Sequence, residues 1–378
     1  MKKFLKLISV FCIITLLAGC GTAKKDEADK KEDNKKSDSA TVVTVGDYEY
    51  NRERFNLYFY NAQDEMLKSA QITKAEDIPD DFWTFADDNG KSQLEYAKEM
   101  ALDLLKDDAI LYVKAVENGV ELSSEERSYI SNQISALKQD NVSLAQFEYM
   151  GISVEELENY YKEMFTIQHL SDKLIEKGEI KIDDAAAKEQ FESAFVKAQH
   201  ILIPTVNQET QAPLSDEEVA KAKKKAEDIL KRIKDGEDFT ELMNKYCEDP
   251  GVKENPDGYV FSSGVMVPEF EEAAFALAEG EVSDLVTTSY GIHIIKRVPF
   301  DMNGTQEKES LKSVKSQLAI PELQNLLETW KGEMDIKVNE DALKDLKPFI
   351  TNNVPQEGTE GAEAEAPETE TVEQTIEN

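Results

Sequence analysis

Ala198-Gln199-His200-Ile201-Leu202-Ile203-Pro204 and Tyr290-Gly291-Ile292-His293-Ile294-Ile295 are the two stretches on which the fold of this chain turns. Each sets one histidine inside a short run of β-branched residues, the local composition of a buried strand. The chain has only 3 histidines, so two at matching positions in two such runs form a specific signal. Between them lie Tyr246-Cys247-Glu248-Asp249-Pro250-Gly251, then Pro256-Asp257-Gly258-Tyr259-Val260-Phe261, then Gly264-Val265-Met266-Val267-Pro268-Glu269-Phe270. Read in order, the region predicts strand, helix, loop, strand, short helix and strand.

These segments, in this order and spacing, resemble the parvulin family of peptidyl-prolyl cis/trans isomerases over residues 196–298. The chemistry implied is rotation about an X-Pro amide. That rotation breaks N–C=O resonance and faces a barrier of about 18–20 kcal/mol. Uncatalysed isomerisation takes tens to hundreds of seconds and can limit folding. Catalysis requires no nucleophile and no cofactor. It requires a pocket that grips the proline ring and polar groups that favour the twisted amide over the planar one.

The resemblance implies a role for each matching residue. Met266, Phe270 and Phe261 fall at the apolar positions that hold the proline ring. His200 and His293 match the paired strand histidines, which are expected to hydrogen-bond to each other and fix ring tautomers. Whether they do chemistry or only hold the sheet register stays open at this level. Asp249 matches the Cys-or-Asp position beside the susceptible carbonyl, so Cys247 reads as structural. Tyr290 falls where relatives carry a hydroxyl residue and is expected to extend the network. The catalytic set is therefore His200, Asp249, His293 and Tyr290, with no metal.

Two departures bear on activity. Many relatives carry Gly-Gly-Asp-Leu-Gly where this chain has Asn255-Pro256-Asp257-Gly258-Tyr259. Tyr259 at a glycine position implies an altered pocket floor and slower turnover. Residues 201–220 contain no Lys or Arg, and phosphate recognition needs a basic cluster, which argues against a phospho-Ser/Thr-Pro preference.

The N-terminus carries a second signal. Lys2, Lys3 and Lys6 precede an apolar run from Leu7 that ends in Leu17-Ala18-Gly19-Cys20. A basic start, a short apolar core and a small-residue exit describe an export signal, and the run is shorter than the roughly 20 apolar residues that span a bilayer. Leu-Ala-Gly-Cys resembles a bacterial lipobox, which implies lipidation of Cys20 and a chain anchored to the outer face of the cell membrane. Each buried methylene of an acyl chain contributes about 0.8 kcal/mol, and stable anchoring needs more than one chain. With Cys12 removed and Cys20 lipidated, Cys247 has no disulfide partner.

Removal of the signal leaves about 360 residues, enough for two or three domains. The net charge of -34 excludes nucleic acid as a partner, because phosphate binding needs clustered Lys and Arg. Residues 21–40 are rich in Lys, Asp, Glu and Ser and read as a flexible linker. Residues 349–378 read as a disordered acidic tail.

Thr41 to Val45, Gly46-Asp47 and Tyr48 to Tyr50 predict a small hairpin. Helical periodicity then dominates to about residue 195. Helices are expected from Asn51 to about Ser69, over about 92–118, from Ser123 to about Gln139, from Ser143, and from Ser153 to about Lys177. Another is expected to be capped by Asp183 or Asp184. Beyond the parvulin-like segment, Gln306 to about Gly332 is amphipathic and expected to kink or break at Pro321. Ile336 and Val338 offer a short strand. These C-terminal elements (299–348) are too few to form a core and are expected to pack on the N-terminal helices (41–195).

The expected fold is α+β: a helical SurA/PrsA-like chaperone domain built from N- and C-terminal segments, carrying an inserted parvulin-like (FKBP-like) domain with a four-stranded sheet. This layout resembles the PrsA-like foldase lipoproteins. It implies an extracytoplasmic, membrane-anchored foldase whose partners are unfolded or newly exported polypeptides with X-Pro bonds; a homodimer is left open. The alternative is a holdase or binding module with a catalytically idle parvulin unit.

Overall fold

The computed structural model describes residues 40–208, 210 and 212–352. Cys20 and the signal, the linker up to residue 39 and the tail from residue 353 lie outside the described residues. The chain divides into two compact units, one of residues up to Lys173 together with those from Gln324, the other of Leu174–Leu323.

In the first unit, β1 (Thr41–Val45) turns through Gly46 and Asp47 into β2 (Tyr48–Asn51). Gly46 adopts φ +57, a left-handed conformation that costs a glycine little. Six helices follow: α1 (Arg52–Ser69), α2 (Gln93–Glu117), α3 (Ser124–Leu137), α4 (Asn141–Tyr149), α5 (Val154–Gln168) and α6 (Leu170–Glu176). Ser92 with Glu95, and Ser123 with Glu126, form reciprocal capping boxes at the starts of α2 and α3. Such pairs satisfy backbone N–H groups that the first helical turn leaves open.

Two helix expectations are corrected. The start near Ser143 is set instead by Asp140, whose carboxylate accepts from the Val142 and Ser143 N–H groups. The single helix expected from Ser153 to about Lys177 divides at His169, where its N–H reaches back only three residues to the Thr166 carbonyl.

The second unit takes in the last residues of α6, which straddles the division, and then α7 (Asp184–Ala194), capped by Asp183. It continues through β3 (Phe195–Pro204), α8 (Asp216–Lys234), α9 (Phe239–Tyr246), β4 (Tyr259–Ser262), α10 (Pro268–Ala276), β5 (Val286–Thr287) and β6 (Gly291–Arg297). Its sheet has the order β4-β3-β6-β5 with every neighbour antiparallel. Nearly all of β3 is buried because the sheet is covered on both faces. Ile201, Ile203, Ile292 and Ile294 pack against α8 and α9. Val196, Ala198 and Ile295 pack against Phe261 and the α10 side chains Phe270 and Ala274. A strand covered on both faces reads as a continuous apolar run rather than an alternation, which is why the histidines stood out.

The long helix α11 (Thr305–Glu333) runs through Pro321 without ending, so of the expected kink or break the break does not occur. Pro321 and Gln317, whose carbonyl loses its donor, are both exposed, so water can take the freed group. Beyond it, β7 (Ile336–Val338) pairs antiparallel with β1, Val43 facing Val338. The first unit is thus closed by a strand from each end of the chain. Phe349 and Ile350, assigned to the tail from sequence, pack against α1. Phe349 meets Phe59 edge to face with ring centroids 5.6 Å apart, and the N–H groups of Phe349 and Ile350 both donate to Gln63.

Among the described residues no helix is long and apolar enough to cross a membrane.

Candidate active site

The β3–β6 register puts Leu202 opposite His293 and Ile295 opposite His200. Alternation along each strand therefore sends both histidines to the sheet face that α10 covers. Their rings meet edge to face with centroids 5.4 Å apart and planes at 84°. The expected hydrogen bond between them is absent, because each ring turns to a different partner. His293 Nε2 shares a hydrogen bond of 2.9 Å with Thr288 Oγ1. His200 Nε2 lies 3.1 Å from Asp249 Oδ2.

Asp249 is delivered by the loop after α9. Two bonds pin that loop to β3: the Leu202 N–H donates to Cys247 Sγ at 3.3 Å, and the Glu248 N–H to the Leu202 carbonyl at 3.0 Å. Cys247 therefore anchors the loop. Asp249 then caps the short 3-10 turn Pro250–Lys253, its Oδ1 accepting from the Gly251 N–H at 3.0 Å. Its Oδ2 accepts from the Tyr259 hydroxyl at 2.7 Å.

The electrostatics follow from these contacts. The His200 contact is at ion-pair distance, yet its N–H is not aimed along it, since neither ring nitrogen has a well-aligned hydrogen-bond partner. We read it as a charge contact. Burial opposes the imidazolium, but Asp249, followed by Cys247, outweighs burial and raises the His200 pKa to about 9. The same pairing, helped by Tyr259 and the Gly251 N–H against partial burial, holds the Asp249 carboxyl well below the usual carboxylate range. His293 goes the other way: burial and the nearby His200 charge push it down to about 4. At neutral pH the two histidines thus differ, His200 charged and His293 neutral.

The apolar wall comes from α10 and the turn before it. Phe270 is 3% exposed and sits 5.3 Å from both imidazole centroids. Glu271 steadies the turn, accepting from the Ser263 hydroxyl at 2.6 Å and the Gly264 N–H at 2.7 Å, which presents Val265 and Met266 to the opening. The result is a cleft of about 510 Å³ whose lining includes His200, Asp249, Tyr259, Met266, Phe270 and His293.

Tyr290 also borders this cleft, but on its rim with half its surface exposed. The expected hydroxyl role falls to Thr288, which is buried and accepts the Tyr290 backbone N–H at 3.1 Å. Nothing in Thr287-Thr288-Ser289 marks one hydroxyl over its neighbours in sequence. Phe261 does not line the cleft. It is 2% exposed and backs Phe270 at a centroid distance of 5.9 Å, so it supports the wall rather than forming it. Tyr259, read from sequence as altering the pocket floor, lines the cleft and is bonded into the polar cluster. Its glycine neighbour explains how it enters. Gly258 holds φ +101, and a Cβ there would lie 2.7 Å from the Ala198 carbonyl oxygen.

Residues 180–298 match the PPIC-type PPIase domain family. Foldase protein PrsA of Caldanaerobacter subterraneus subsp. tengcongensis is 32% identical over 79% of this chain and 88% of its own. Foldase protein PrsA of Oceanobacillus iheyensis is 33% identical over 66% of this chain and 71% of its own. The crystal structure of PrsA from Bacillus subtilis aligns with 71% of this chain and 98% of its own at 26% identity, with a TM-score of 0.32. The chain belongs to the PrsA foldase family, and its PPIC-type domain makes it a peptidyl-prolyl cis/trans isomerase of the parvulin type.

Proposed function

We propose that X-Pro isomerisation takes place in the cleft between β3, β6 and α10, with Asp249, His200 and His293 as its polar side and Met266 and Phe270 as its proline-binding wall. The observation that carries this reading is the convergence of those five side chains, from four separate stretches of chain, on one cavity. The planar amide is charge-separated, with negative charge on its oxygen. A carboxylate beside the carbonyl repels that form and disfavours the ground state more than the twisted transition state. The apolar wall acts in the same direction, since a twisted amide is less polar and loses less on leaving water. His200, charged and held by Asp249, keeps the carboxylate ionised, while neutral His293 orders the wall through Phe270. Tyr290 on the rim contacts flanking residues of the bound chain rather than the amide.

The wider setting is part of the same proposal. The partners are unfolded polypeptides with X-Pro bonds, held by the helical unit while the cleft acts. The basic start, apolar run and Leu-Ala-Gly-Cys sequence support lipidation at Cys20 and an extracytoplasmic site of action on newly exported chains.

A proline-limited refolding assay with the full chain tests the site. Combining Asp249→Ala with His200→Ala is expected to abolish the acceleration while suppression of client aggregation persists and circular dichroism stays unchanged. An undiminished rate in the folded double variant would remove this cleft as the site of catalysis.

A further inference from the structure

Tyr259 has no part in the five-residue set, yet it touches two of its members. Its hydroxyl donates to Asp249 Oδ2 at 2.7 Å. Its ring lies nearly parallel to the His200 imidazole, with centroids 5.6 Å apart and planes at 11°. One side chain therefore touches both members of the charged pair. We propose that Tyr259 is a positioning residue for the isomerase reaction, fixing the Asp249 carboxylate and the His200 ring in one arrangement facing the cleft. This rests on the reading of the cleft given above and extends it.

Three observations carry the assignment. First, the orientation of the carboxylate is set by Tyr259 and by the Gly251 N–H, which occupy its two oxygens at 2.7 and 3.0 Å. The His200 N–H is close but not aligned, so it cannot do the aiming. An Asp249 side chain released by Tyr259 keeps only the Gly251 N–H on Oδ1 as an aligned bond, and 22% of it is already exposed.

Second, the backbone around the contact is shaped for the hydroxyl. A Cβ at position 251 would lie 2.5 Å from Tyr259 Oη and 3.4 Å from Asp249 Oδ1. Glycine at 251 is what lets the tyrosine reach the acid. Gly258, whose positive φ and close approach to Ala198 admit no side chain without strain, sets the start of β4 from which Tyr259 projects.

Third, the strand end carrying Tyr259 is fastened by side chains of α11 and of β3. Gln306 of α11 accepts from the Val260 N–H at 2.9 Å and donates to the Gly258 carbonyl at 3.0 Å, while Gln199 donates to the Pro256 carbonyl at 3.0 Å. A residue that merely filled space would need no such hold. The groups facing His200 are Asp249, Cys247, Tyr259, His293 and Phe270, and among them only Tyr259 contacts both ring and acid.

The test uses the full chain, whose 3 histidines make selective 15N-histidine labelling readable. In Tyr259→Phe the ring and its stacking remain and only the hydroxyl is lost. The His200 titration midpoint is expected to fall by about half a unit or more, because a carboxylate that swings away no longer offsets burial. In the same variant kcat/KM for a prolyl peptide is expected to fall roughly three- to ten-fold, the scale of one typical intramolecular hydrogen bond, with the change in kcat rather than KM. A His200 midpoint that is unchanged or raised in Tyr259→Phe would overturn the proposal, since the hydroxyl would then be idle or a competitor for Oδ2. Asp249→Ala separates the two readings. If it retains full activity, the cleft assignment fails, while the histidine titration still reports whether Tyr259 governs the pair.

Discussion

Replacing Asp249 with Asn should change how the stability of the isomerase unit depends on pH, and the structure gives the sign and size. His200 is 7% exposed, and its pKa is raised from 6.5 to about 9 against its own burial because Asp249 faces it. A histidine raised in the folded state contributes stability that is fully present below its unfolded value. That contribution is lost as pH rises through the folded value. Between about pH 6.5 and 9 the folded chain holds a proton that the unfolded chain has released, so stability falls by about 1.4 kcal/mol per pH unit. Over the whole window this amounts to about 3.5 kcal/mol at most. Because solvent reaches Asp249, screening reduces it to roughly 1.5–3 kcal/mol. The pair is counted once, on the histidine, since the depressed Asp249 reports the same attraction. In Asp249→Asn the burial penalty remains without the anion, so His200 is neutral above its ordinary pKa and the slope disappears. Urea unfolding of both proteins at half-unit steps from pH 6 to 9.5, followed by a signal from the sheet unit, gives two curves whose separation should shrink as pH rises. Parallel curves, separated by a constant amount across that window, would refute the His200–Asp249 coupling.

Two further outcomes follow from buried charge. Lys197 and Glu307, 6% and 1% exposed, form an ion pair of 2.7 Å that fastens α11 to β3; Glu307→Gln should cost about 3–5 kcal/mol by leaving a buried ammonium without its counter-charge, and Lys197→Met with Glu307→Leu should recover part of it, less what the Asp301 N–H loses with its acceptor, as read by thermal melting. In the helical unit Asp108 accepts from the Tyr58 hydroxyl at 2.8 Å, and burial raises its pKa to about 7. The folded state thus favours the neutral acid, and stability is lost as pH rises from about 4 through 7. Asp108→Asn, which keeps an acceptor for Tyr58, should therefore be stabilising at pH 8 by roughly 2–4 kcal/mol and near neutral at pH 4, as read by denaturant unfolding.

The division of labour between sequence and tertiary structure is visible residue by residue. The β-branched runs around His200 and His293, the serine cap at Ser123, and the strand at Ile336 to Val338 were legible because each is a local preference written within a few residues. The parvulin segments were legible because their order along the chain is itself the signal. What a local pattern could not hold was direction and partnership. The continuous helix through Pro321 depends on which side of α11 meets water. The choice of Thr288 over Tyr290 as the partner of His293 depends on the β5–β6 connection folding one hydroxyl inward. Phe261 and Phe270 look alike in sequence, and only packing decides which faces the cleft and which stands behind it. Tyr259 is the sharpest case: its chain position marked it as a departure, but its function depends on an aspartate ten residues away and a glycine that leaves room for its hydroxyl. Sequence alone determined which chemistry this chain carries, since residue types and their order are covalent facts. Tertiary structure alone decided which groups share an oxygen atom, because that contact exists only after segments distant along the chain have been brought together.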